Sequence, residues 1–90
     1  MMENINDSKL YSRQLIGKTV VSKTGKRFGE VTNLSFETRT GELLQILLRN
    51  PTGYCEGLNL ERDKNGALLI PFSSVIAVGD FVVIAEEDII

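Results

Sequence analysis

This chain predicts an all-β fold, a small closed six-stranded antiparallel β-barrel. Two observations carry that expectation. Over residues 15–50, three β-prone runs are separated by the turns Lys23-Thr24-Gly25-Lys26 and Thr38-Arg39-Thr40-Gly41. The second half holds the clearest hairpin turn of the chain, Asp63-Lys64-Asn65-Gly66, in which Asn-Gly suits the positive φ angles of a tight turn. Ninety residues make one domain, with a core small enough that packing must be good or subunits must associate. Closing the sheet also removes strand edges that invite aggregation.

Residues 1–13 are polar and without periodicity, and are expected to form a flexible N-terminal arm. The β domain follows over 14–86, and an acidic end over 87–90. The first strand, 18–22, centres on Val20 and Val21. Gly25 supplies the positive φ of the next turn. The second strand, 27–37, places Phe28, Leu34 and Phe36 on one parity and Val31 on the other. Either both of its faces are covered, or a bulge near Thr32-Asn33 resets the alternation. The third strand, 42–49, carries Leu44, Ile46 and Leu48 on one face, and Leu43 and Leu47 with Gln45 and Arg49 on the other. This pattern fits a strand buried inside and partly covered outside.

Asn50-Pro51-Thr52-Gly53 interrupts the pattern. A weaker strand is expected over 54–62, where Leu58 and Leu60 alternate with Asn59 and Glu61. The fifth strand, 67–72, ends at Pro71, which cannot donate to a ladder. Ser73-Ser74 offer a cap for one short helical turn near residues 74–77. Gly79-Asp80 turns the chain into the last strand, 81–85.

Composition excludes more than it assigns. A hydrophobic fraction of 42% and a charged fraction of 24% are ordinary for a globular domain. No apolar run approaches the roughly 20 residues that span a bilayer, and residues 1–14 lack the apolar core of a secretion signal. A cytoplasmic protein is expected, and the single cysteine, Cys55, agrees with a reducing compartment. There is no histidine, which removes Ser-His-Asp and Cys-His arrangements and most zinc sites. No phosphate-binding glycine motif is present. Glu86-Glu87-Asp88 reads as a solvated acidic terminus rather than a cation cage, and Cys55 as an ordinary thiol. No catalytic, cofactor-binding or metal-binding residue is expected, and no enzyme.

The net charge of −2 weighs against nucleic acid as the main partner. The charge is unevenly spread. Lys18, Lys23, Lys26 and Arg27 cluster around the first hairpin, whereas Asp80, Glu86, Glu87 and Asp88 follow the last basic residue, Lys64. The basic residues lack an aromatic stacking platform and read as a solvated turn, with orientation steering as their functional alternative. If Leu44, Ile46, Leu48, Val82 and Ile84 point inward, then Leu43, Leu47, Phe81 and Val83 face outward. Such residues are covered either by another subunit, in a homodimer, or by the N-terminal arm or short helix.

Leu15-Ile16-Gly17-Lys18, Gly25, Phe28-Gly29-Glu30-Val31, Leu34-Ser35-Phe36, Thr40-Gly41 and Leu44, in that order, resemble the PRC-barrel domain family. Ile70-Pro71-Phe72, Val75, Ile76, Val78-Gly79-Asp80 and Val82-Val83-Ile84 match the family's closing half. The resemblance implies a six-stranded barrel used as a binding module, here as a short stand-alone member of the archaeal type. It implies a non-enzymatic adaptor in a cell-division or other macromolecular assembly, and the outward apolar residues add the expectation that the module associates with itself. The alternative it implies is a ribosome-maturation or RNA-processing factor that binds RNA or a ribosomal protein. It brings no shared catalytic residues.

Overall fold

The computed structural model describes residues 13–89, so the expected arm lies, but for Arg13, outside the described residues. Residues 13–15 are helical and seat Leu15 in the core. The strands are β1 (Thr19–Ser22), β2 (Arg27–Phe36), β3 (Leu43–Arg49), β4 (Leu68–Pro71), β5 (Val75–Val78) and β6 (Phe81–Ile84). A helical turn, α1 (Gly53–Glu56), precedes β4, and 3-10 turns occupy Phe72–Ser74 and Glu86–Asp88.

The β1–β2–β3 meander forms as its sequence predicts. Gly25, at φ 92°, closes the first turn by donating its amide to the Ser22 carbonyl. The Ser22 hydroxyl accepts from the Lys26 amide. Val31 pairs with Leu48 but Asn33 with Leu47, so Thr32 is the extra residue of a bulge. This reset lets both Val31 and Leu34 reach the core, and a second irregularity, where Val20 pairs with Gly29 but Val21 with Arg27, lets Phe28 and Val31 both be fully buried.

Three expectations are corrected. The sheet is neither closed nor wholly antiparallel. It is one open, mixed, six-stranded sheet in the order β4-β3-β2-β1-β6-β5, with β1 and β6 parallel. The reason lies between β4 and β5. Six strands joined by five reversals would set the first and last antiparallel. Here the 3-10 turn Phe72–Ser74 bends the chain without reversing it, which brings β6 alongside β1 in the same sense. The two edge strands are thus consecutive in the chain, joined by three residues and not by a ladder.

The strand expected over 54–62 does not form. Cys55 turns inward there to full burial, its thiol donating to the Phe28 carbonyl at 3.3 Å. Tyr54 meets the Phe28 ring edge-on at a centroid distance of 5.6 Å. Half-buried Tyr54 and buried Cys55 both reach Phe28 from successive positions, which a helical turn allows, whereas a strand sends neighbours to opposite faces. Only a single bridge, Arg62 to Leu68, remains of the expected pairing.

The sixth strand is instead β5. The helical turn expected near residues 74–77 comes earlier, at Phe72–Ser74, where the Ser74 hydroxyl donates to the Pro71 carbonyl. The β-branched residues Val75, Ile76 and Val78 then favour the extended backbone.

The core is contiguous. Val20, Phe28, Val31, Ile46, Leu48, Leu68, Ile70, Val82 and Ile84 are all fully buried. Leu34, Leu58, Leu60, Phe72 and Ile89 pack around them.

Candidate interaction surface

Strand register decides which apolar residues remain outside. Val82 and Ile84 are buried, so Phe81 and Val83 face outward as expected. Val83 lies opposite Val21 on β1 and Ala77 on β5, and Phe81 lies opposite Thr19. Phe81 is 46% exposed and Val83 half-buried. An apolar row, Val21–Val83–Ala77, with Phe81 beside it, therefore crosses the outer face of β1, β6 and β5.

Leu47 faces outward elsewhere. Its cross-strand neighbours are Asn33 on β2 and Leu69 on β4. Between it and Phe81 runs a polar stretch in which Arg49 Nε donates to Glu30 at 3.3 Å. Leu47 and Phe81 thus belong to separate patches.

Leu43 is corrected outright: it points inward and is 7% exposed, while Leu44, expected inside, is 43% exposed. Ser35 pairs with Gln45 and Phe36 with Leu43, which leaves Leu44 as the unpaired residue of a second bulge. One extra residue exchanges the two faces of the strand beyond it. The outward apolar residues that sequence reasoning missed are Ile16, Val21, Phe36, Leu44, Ile76 and Ala77. The parity of β1 around buried Val20 could have found Val21. Nothing short of the pairing could have found Leu44 or Ile76, since both sit at bulges.

The lysines of the first hairpin make contacts within the chain. Lys18 Nζ donates to the Gly79 carbonyl at 2.6 Å, tying the start of β1 to the β5–β6 turn. Lys23 Nζ pairs with Glu87 at 2.6 Å. Lys26 Nζ stands 5.7 Å from the centre of the Tyr54 ring, whose hydroxyl donates to Glu86. Arg27 remains exposed. The basic hairpin and the acidic end, distant in sequence, are folded against each other. The hydrogen bond from Lys23 holds the Glu87 carboxyl below its ordinary value, and the same bond raises the Lys23 ammonium. The hydrogen bond to Glu86, with some desolvation, raises the Tyr54 phenol.

No group of three or more His, Cys, Asp or Glu among the described residues is placed to hold a metal ion. No described helix is long and apolar enough to cross a membrane. The buried polar side chains Ser22 and Ser74 are both hydrogen-bonded, and Cys55 is 1% exposed. A shallow groove lined by Thr19, Arg27, Glu30, Asn50 and Thr52 is open to solvent. The Thr52 hydroxyl there donates to the Arg27 carbonyl, and Glu30 is paired with Arg49.

This short all-β unit carries an apolar outer row across β1, β6 and β5. The chain belongs to the PRC-barrel domain family, whose model matches residues 7–88, nearly its whole length. No curated protein matches it.

Proposed function

We propose that this chain is a non-enzymatic adaptor that docks a protein on the outer face of β1, β6 and β5 and also associates with itself. The carrying observation is Phe81, 46% exposed beside the Val21–Val83–Ala77 row. A large aromatic on an apolar rim is the usual anchor of a protein contact. The family resemblance supports a place in a macromolecular assembly, cell division among them.

RNA binding is the weaker reading. Lys18, Lys23 and Lys26 already have partners within the chain, Lys23 the carboxylate of Glu87. These internal contacts, together with the net charge of −2, weigh against a phosphate backbone as the main partner.

The test is affinity capture from the native organism with the full chain, with and without nuclease, alongside Phe81→Asp. A nuclease-resistant protein partner that is lost with Phe81→Asp, while the circular dichroism stays native, is the expected result. Capture that disappears with nuclease, or that Phe81→Asp leaves intact, overturns this reading of the face.

A further inference from the structure

We propose that a second copy of this chain pairs along the edge of β5 that is unpaired among the described residues, so that the two Val75–Val78 strands run antiparallel and two sheets join into one. This rests on the reading of the chain as a self-associating module and names the surface that does it. The two edges of the sheet are treated differently. β4 is covered by the segment before it: the Leu69 amide donates to the Glu61 carbonyl and the Asp63 amide to the Ala67 carbonyl, both at 2.9 Å. β5 pairs with β6 alone among the described residues. Ile76 on it is 53% exposed, and Ala77 is exposed too.

Natural edges are guarded by charges, by proline, by bulges or by shortness. Val-Ile-Ala-Val has neither charge nor proline. It is short, and its bulge at Ile76 pushes an isoleucine out rather than a lysine.

A second copy suits this edge better than a foreign peptide does. An uncharged strand offers no electrostatic feature to select a partner of particular charge. A two-fold axis sets uncharged residues against themselves, without the like-charge repulsion that deters copies. Pairing centred on Ile76 and Ala77 also carries each Asp80 towards the Ser73-Ser74 end of the other strand, away from its own counterpart. A four-residue ladder buries far less than the about 800 Å² per partner of a standard interface, so the dimer is of the weak, micromolar class. The Val21–Val83–Ala77 row runs up to the seam and is doubled across it, which leaves Phe81 free for a different protein.

Sedimentation equilibrium and amide hydrogen exchange test this on the full chain, at concentrations from a few to several hundred micromolar. Protection of the β5 amides should rise with concentration. Ile76→Lys should raise the dissociation constant roughly tenfold or more, about 1.4 kcal/mol. Phe81→Asp should leave the dimer in place. Exchange at β5 that ignores concentration overturns the proposal. A dimer dispersed by Phe81→Asp but not by Ile76→Lys also overturns it, moving self-association to the face. A monomer at every concentration overturns both the edge and self-association, and leaves docking on the face to its own test.

Discussion

The α-carbon of Gly29 stands against the carbonyl of Arg49, so close that a β-carbon added there would lie 2.7 Å from that oxygen. The oxygen belongs to backbone and cannot swing aside, and Gly29 sits where β2 bulges against β1. Gly29→Ala should therefore cost more than about 2 kcal/mol, in the range of strained backbone sites. Gly25 is the comparison. Its φ is 92° with nothing within 4 Å, so Gly25→Ala should cost only the left-handed penalty of about 1 kcal/mol. Urea midpoints of the two variants should differ in that order. Equal midpoints would mean that the β1–β2 bulge relaxes freely.

The bulge at Leu44 makes a sharper prediction, because it inverts what alternation implies. Leu43→Ala should remove a core side chain and cost about 2–5 kcal/mol. Leu44→Ala should stay within about 0.5 kcal/mol of the parent. Chemical denaturation decides, and the reverse order would restore the unbulged register.

The contacts of Glu86 and Glu87 with Tyr54 and Lys23 should give stability a broad plateau in pH. Glu87 sits below its ordinary 4.5, so its contribution is present above that pH and is lost as pH falls through its folded value. Tyr54 and Lys23 sit above their ordinary 10.0 and 10.5, so theirs are present below those values and lost as pH rises through the folded ones. These groups are solvent-screened, so Glu87→Gln should lower the melting temperature only slightly, and high salt should remove the difference. A variant that melts with the parent at low salt would show the Lys23–Glu87 pair to be without effect.

Cys55 gives a probe of the core. At 1% exposure its thiol should resist a soluble disulfide reagent until the domain opens. Labelling should track the global unfolding equilibrium as urea is added. Prompt labelling in native buffer would place α1 outside the cooperative unit.

Much of this fold is legible in the residues because its signals are local. The turn at Gly25 and the bulge near Thr32 both follow from side chains within a few positions of one another. The outward Phe81 and Val83 follow from simple alternation around Val82 and Ile84. The misreadings arise where partners distant in the chain decide. Around Tyr54 and Cys55 the local pattern favours a strand, but the carbonyl and ring of Phe28 offer these residues partners that only a helical turn lets them reach.

The sequence by itself determined that the chain folds as a small all-β unit, where most strands start and stop, and which family it belongs to. The first two are written in spacing and turn chemistry over fewer than about ten neighbouring residues, and the family in the order of such short motifs along the chain. The tertiary structure alone decided that β6 lies parallel to β1, that Leu43 and not Leu44 enters the core, that the acidic end folds against the basic hairpin, and that β5 pairs with β6 alone among the described residues. These depend on pairings between residues far apart in the chain, where one inserted residue or one turn that fails to reverse changes which faces and edges meet.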